Sequence, residues 1–159
     1  MDVLEGQRPV GPIVTNLREG FNIALACSSA WKRYNNPMKT VVVLGASADR
    51  SKFGNKAVRA FLQQGYTVYP VNPKETTLEG LTCYPTLAQV PVRPDRISVY
   101  LPPAVVYQLL PEIAAKGCEE LWLNPGTESG EVLARAEELG LNVIQACSIV
   151  AIGLAPSTL

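Results

Sequence analysis

The stretch Thr40-Val-Val-Val-Leu44 is apolar at four consecutive positions and is stopped by Gly45. A strand with one face in water alternates polar and apolar residues. A strand apolar on both faces must be covered on both, which is the condition of a parallel strand with helices above and below it. This run therefore points to strands alternating with helices, and the rest of the chain supplies them. A helical pattern runs from about Gly54 to Gln64, with Ala57, Val58, Phe61 and Leu62 on one face and Gly65 as its stop. Tyr66–Tyr69 reads as the second strand, after which Pro70 and Pro73 are expected to halt regular structure.

Residues 74–94 form a longer connection holding a short segment, Leu81–Tyr84, and a helical turn near Leu87. Arg96–Leu101 is the third main strand. A helix from about Ala104 to Lys116 follows, with a kink or break expected at Pro111 and an end at Gly117. Glu120–Leu123 is the fourth strand, Ser129–Leu139 a helix closed by Gly140, and Leu141–Ile144 the fifth strand. The succession predicts one α/β domain: a doubly wound, mostly parallel sheet of about five strands with helices on both faces, in the expected order 3-2-1-4-5. A chain of 159 residues suits one such domain with a proper core.

Residues 1–37 show no clear periodicity, and two readings of them stand. They form a loosely ordered arm packed on the domain, or they result from the choice of start site, with Met38 as the true start. The second is preferred, which leaves residues 38–159 as the domain.

The totals exclude several functions. With 14 basic and 14 acidic side chains the formal net charge is zero, so nothing global attracts nucleic acid or an anionic membrane, and any anion site must be local. The sequence has no histidine, which removes the usual general base, the commonest metal ligand and any phosphohistidine step. The cysteines (Cys27, Cys83, Cys118 and Cys147) form no CxxC pair and lack the acidic clusters that would complete a metal site. They read as free thiols in a reducing compartment, so a cytoplasmic location is expected. No run reaches the roughly 20 apolar residues of a membrane span.

In an open parallel sheet the ligand lies beyond the carboxyl ends of the strands, so the loops after the strands carry the function. The first is Gly45-Ala46-Ser47-Ala48-Asp49-Arg50-Ser51-Lys52-Phe53-Gly54. Gly45 permits a sharp backbone turn, and the N–H groups of the turn and of the helix start can face a phosphate. Arg50, Lys52 and Lys56 bring three cations near that point, and Ser47 a hydroxyl. The spacing is not GxGxxG. The second loop, Asn72-Pro73-Lys74, replaces the carboxylate that usually grips the ribose diol of NAD. A lysine there instead attracts an extra phosphate on the ribose, which fits the 3′-phosphate of coenzyme A (CoA) or the 2′-phosphate of NADP. The third and fourth loops, Leu101-Pro102-Pro103 and Asn124-Pro125-Gly126, are rigid and largely apolar, and serve as walls for adenine or a pantetheine arm or as plain turns.

At these residues the chain resembles the stand-alone CoA-binding proteins, small Rossmann-like proteins similar to the CoA-binding domain of the succinyl-CoA synthetase α subunit. The resemblance covers residues 39–153. It rests on Val43-Leu-Gly-Ala-Ser47, Gly65-Tyr-Thr-Val-Tyr-Pro-Val-Asn-Pro-Lys74, Gly80-Leu-Thr-Cys-Tyr-Pro85 and Leu121-Trp-Leu-Asn-Pro-Gly126. It implies a CoA site with Ser47 to Arg50 lining the phosphate loop, Lys74 as the CoA-binding lysine, and Leu123, Asn124 and Pro125 beside the cofactor arm. It also sets Cys147 near the family's cysteine after the last strand. No basic residue accompanies Cys147 here, so it reads as a buried apolar thiol rather than as a partner for a mixed disulfide with CoA. Ligase chemistry does not carry over, since the synthetase's phosphohistidine and partner domains have no counterpart.

The expectation is thus a module that binds CoA or an acyl-CoA, without catalysis of its own and without nucleic-acid or membrane partners. Two alternatives stand beside it: an NADP-binding, oxidoreductase-like protein, and a regulatory or interaction subunit whose nucleotide groove is vestigial.

Overall fold

The computed structural model describes residues 39–159, so both readings of residues 1–37 lie outside the described residues. Its parallel sheet contains β1 (Thr40–Leu44) and β2 (Thr67–Val71). A hairpin of β3 (Thr77–Leu78) and β4 (Leu81–Thr82) comes next along the chain, and the sheet is completed by β5 (Arg96–Val99), β6 (Glu120–Leu123) and β7 (Val143–Gln145). The helices are α1 (Phe53–Gln63), α2 (Pro103–Lys116), α3 (Gly130–Glu138) and α4 (Ser148–Ala151), before a short 3₁₀ turn at Pro156–Thr158.

The sheet order is β2-β1-β5-β6-β7, with every pair parallel. The expected α/β sheet is present, but its order is corrected. Counting full strands along the chain, it is 2-1-3-4-5 rather than 3-2-1-4-5. The third full strand, β5, pairs with β1 from Val41↔Arg96 to Leu44↔Val99 and does not lie outside β2. The β2–β5 connection pairs with itself as the β3–β4 hairpin. It leaves Tyr84 as the point where a bridge forms with β2, at Val71.

Two stops expected at prolines, the end of β2 at Pro70 and a break at Pro111, are not found. Strand β2 continues through Pro70 to Val71. The Pro70 carbonyl accepts from the Tyr84 amide at 2.9 Å, on the side of β2 away from β1. A residue's nitrogen and carbonyl point to the same side of a strand, so the missing N–H of Pro70 removes no bond to β1. Helix α2 likewise runs unbroken past Pro111. Pro111 is exposed, so the carbonyl that loses its partner lies toward water, which can satisfy it.

Alternation along β1 divides the core. Val42 and Leu44 pack with Ile97, Val99, Leu121 and Leu123 beneath α2 and α3. Val41 and Val43 pack with Val68 and with Ala57, Val58 and Phe61 of α1, and Ile149 of α4 joins that side. Val41, Val42 and Val43 are all fully buried. At about 1.5–3 kcal/mol for each buried aliphatic side chain, β1 contributes heavily to the stability of the fold. Among the described residues no helix is long and apolar enough to cross a membrane.

Candidate functional site

The carboxyl ends of β1 and β2 are held together by close backbone contact and by asparagine amides. Gly45 has φ +82°, and a Cβ there would lie 2.6 Å from the Tyr100 carbonyl oxygen. A Cβ on Gly54 would lie 2.2 Å from the Gly45 carbonyl oxygen. The first turn of α1 therefore lies directly against the end of β1, at a distance that only two glycines permit. This first turn carries no acidic residue and no side-chain cap, which leaves the positive end of the helix dipole uncompensated.

Asn72 joins the first loop to the second. Its Nδ2 donates to the Ala46 carbonyl at 2.6 Å, and its Oδ1 accepts from the Lys74 amide at 2.8 Å. Within the first loop the Ser47 hydroxyl oxygen accepts from the Asp49 amide at 3.2 Å, leaving its own O–H free to donate outward. The Asp49 carboxylate accepts from the Ser51 hydroxyl at 2.6 Å and from the Ser51 amide at 3.0 Å. Those bonds, the hydroxyl one foremost, hold its pKa below the ordinary aspartate value. Its charge thus serves the loop's own turn.

These loops border a cleft of about 540 Å³. Gly45, Ser47, Lys52, Asn72, Pro73 and Lys74 line one side, and Leu44, Val71, Leu87, Leu101, Val105 and Leu109 supply its apolar surface. Glu75 and Glu112 also reach it, Glu112 accepting from the Ala88 amide at 2.9 Å. A shallower groove of about 410 Å³ extends from it past Gly45, Lys52 and Leu101 to Pro102, Pro125 and Gly126. The two share Gly45, Lys52 and Leu101, so they are parts of one surface across the sheet's carboxyl edge.

Beyond β5 and β6 the polar groups turn inward. Asn124 is 2% exposed. Its Nδ2 donates to the Ser98 hydroxyl and to the Val99 carbonyl, each at 2.9 Å, and its Oδ1 accepts from the Ser148 amide at 2.8 Å. The Ser148 hydroxyl bonds both Ser98 (2.8 Å) and the Tyr100 hydroxyl (2.9 Å). Burial pushes the Tyr100 phenol up to about 12, against the opposing pull of its bonds to Ser148 and Ser98.

Residues 39–153 match the CoA binding domain family. The chain belongs to that family. The CoA-binding domain is also similar to an ADP-forming acetate–CoA ligase of Archaeoglobus fulgidus, 33% identical over 81 residues, which are 51% of this chain and 12% of the ligase. The α subunit of an ADP-forming acetate–CoA ligase of Pyrococcus furiosus is 34% identical over 83 residues, 52% of this chain and 18% of the subunit. The chain therefore matches only a small part of those proteins. Among solved structures, a conserved hypothetical protein from Pyrococcus furiosus aligns with TM-score 0.66 and 33% identity, covering 72% of this chain and 99% of that one. A dinucleotide-forming acetyl-coenzyme A synthetase of Ca. Korarchaeum cryptofilum aligns with TM-score 0.60 and 30% identity, over 72% of this chain and 27% of the synthetase.

The residues singled out from sequence fall into three groups. Gly45, Ser47, Lys52, Asn72, Pro73, Lys74, Leu101, Pro102, Pro125 and Gly126 line the cleft or its extension. Ala46, Leu123 and Asn124 are buried, and the Asn124 amide is spent inside the domain. Ala48, Asp49 and Arg50 are exposed on the outer part of the first loop, with Arg50 paired to Glu79. Lys56 donates to the Pro156 carbonyl at 2.7 Å and lies over the Phe53 ring, so it serves the C-terminal segment. Cys147, expected to be buried, is only half-buried at the start of α4.

Sequence reasoning missed Asn55 and Glu79. Asn55 is fully buried, donating to the Ser47 carbonyl at 2.8 Å and to Glu79 at 3.0 Å while accepting from Arg59 at 2.8 Å. Its signal was available, since Asn55, Val58 and Leu62 share one helix stripe. An asparagine on an apolar stripe must have a bonding task, because an unpartnered buried amide is costly.

Proposed function

We propose that this CoA-binding domain binds coenzyme A or an acyl-CoA and performs no chemistry of its own. One observation carries the reading: Lys52 and Lys74 reach the same cleft, whose surface is otherwise mostly aliphatic apart from Glu75 and Glu112. Adenosine diphosphate with a ribose phosphate is a flat apolar base joined to clustered negative charge, and this cleft offers a surface for each. On this reading the turn from Gly45 to Gly54 receives the diphosphate with its backbone amides, the Ser47 hydroxyl and Lys52. Lys74 takes the ribose 3′-phosphate, and Leu101, Val105 and Leu109 cover the base. The pantetheine arm follows the shallower groove past Pro125 and Gly126.

The residues present suit such a ligand. Asn72 stands where a diol-binding carboxylate would repel a ribose phosphate. The named activity of the ligase relatives also involves CoA, and this chain matches the short region of them that the family describes. Among the described residues, no group of three or more Cys, Asp or Glu is placed to hold a metal ion, and the sequence has no histidine.

Isothermal titration with CoA, dephospho-CoA, ADP and NADPH tests it. CoA is expected to bind tightest. Lys74→Ala should weaken CoA by about tenfold, the loss of one exposed charge-assisted phosphate bond worth about 1.5 kcal/mol, and leave dephospho-CoA nearly unchanged. Stronger binding of NADPH than of CoA, or equal loss for CoA and dephospho-CoA in Lys74→Ala, would overturn it.

A further inference from the structure

Arg50 belongs to the first loop, two residues before the cleft-lining Lys52, yet its guanidinium turns away to Glu79 on the β3–β4 hairpin. The Arg50 Nε lies 3.3 Å from Glu79 Oε1. Glu79 is an unlikely residue for its position on local grounds. It opens the two-residue turn Glu79-Gly80 between Leu78 and Leu81, with φ +49°, and is the non-glycine residue with positive φ among the described residues. Both residues of the turn have φ in the left-handed region, where Asn, Asp or Gly is normally found. A glutamate there costs conformational energy that its side chain must offset.

The side chain's contacts show what offsets it. Glu79 Oε1 also accepts from the Nδ2 of the fully buried Asn55, at 3.0 Å. Asn55 is itself fixed by the Ser47 carbonyl and by Arg59, and Arg59 donates to the Arg50 carbonyl at 3.0 Å. The carboxylate is therefore anchored whether or not Arg50 meets it. Arg50, with a side chain 66% exposed against 22% for Glu79, is the member of the pair open to solvent.

Resting on the reading of the cleft given above, we propose that Glu79 is an internal counter-ion that competes with the ligand's diphosphate for Arg50 and so sets the affinity of the site. With the cleft free, Arg50 pairs with Glu79. A diphosphate on the loop offers more charge than one carboxylate, and the guanidinium exchanges partners. The exchange is cheap because an exposed ion pair is weak and screened. Asn55 keeps the hairpin attached to the loop throughout.

The test is a double-mutant cycle of Arg50→Ala and Glu79→Gln, titrated with CoA and separately with ADP at low and high salt. Glu79→Gln retains an oxygen for Asn55 and removes only the charge. Glu79→Gly is the second variant, since glycine suits the backbone at that turn. Both Glu79 variants should bind about two- to fivefold tighter than wild type at low salt, the range of an exposed ion pair. The gain should shrink at high salt and vanish in the Arg50→Ala background. No gain, or a gain that survives without Arg50, overturns the proposal. If ADP binds and CoA does not, the CoA reading falls while the cycle on ADP still decides the role of Glu79. If neither binds, both fall.

Discussion

The two halves of the sheet's carboxyl edge use polar residues in opposite ways. After β1 and β2, asparagines bond the backbone and Lys52 and Lys74 line a cleft. After β5 and β6, Asn124, Ser98, Ser148 and Tyr100 bond one another, and Asn124, Ser98 and Ser148 are buried. The first half holds its shape by backbone proximity, with two glycines at the contact. The second spends its polar groups on joining β5, β6 and α4, and offers mainly apolar surface. The same residue type, asparagine, stands in both halves, and what it does follows from burial.

The glycines offer the sharpest way to break this contrast. Gly54→Ala places a Cβ 2.2 Å from a backbone oxygen, whereas at Gly126 a Cβ meets nothing within 4 Å. Gly54→Ala should cost about 3 kcal/mol or more in urea unfolding and abolish CoA binding, because the α1 start must move away from β1. Gly126→Ala should cost about 1 kcal/mol, the strain of a positive φ without a clash. Similar losses for the two would mean that close approach does not organise the first loop.

The asparagines separate scaffold from site. Asn124→Ala leaves the Ser148 amide and its neighbours short of partners in a buried place, and should lower unfolding free energy by about 2–4 kcal/mol. Asn72→Ala, with its bonds at the cleft edge, should lower it by about 1 kcal/mol and act chiefly on CoA affinity, through the freed Lys74 loop. The comparison fails if Asn72→Ala proves the more destabilising in urea.

The third effect is alkaline. The Tyr100 phenol is held up to about 12 in the folded domain, from an ordinary value of 10.0. Between those values the unfolded chain releases this proton and the folded one keeps it, so stability is full below pH 10 and falls as pH rises toward 12. The loss amounts to at most about 3 kcal/mol. Cys118, raised by burial to about 11, adds to the decline from pH 9 upward. Urea midpoints from pH 8.5 to 11.5 should therefore fall less steeply for Tyr100→Phe than for wild type, and equal slopes would remove Tyr100 as a cause.

Much of the fold was legible because it is written in local patterns. The apolar run of β1, the stripe of α1 and the glycines at the helix ends report burial period and backbone reversal, which neighbouring residues decide among themselves. The errors fell where distant segments decide. Pro70 looked like a stop, but the side of β2 it faces depends on Tyr84. The third full strand could lie on either side of the β1–β2 pair, and it takes the side of β1, pairing with residues far away along the chain. The α4 helix, only four residues long, left too short a pattern to read.

The site divides along the same line. The sequence alone determined that the chain is a layered α/β domain, that the loop after β1 carries a glycine turn with cations, and that the loop after β2 runs Asn72-Pro73-Lys74 with no carboxylate before Glu75, because residue type and spacing along a strand–loop–helix unit suffice for each. Only the tertiary structure decided which cations face the cleft. Lys52 and Lys74 reach it, Arg50 turns to Glu79 and Lys56 to Pro156, and Asn124 turns inward. The physical reason is that a side chain's direction depends on the partners within reach. Those partners lie 24 to 100 residues away along the chain, where no local pattern can announce them.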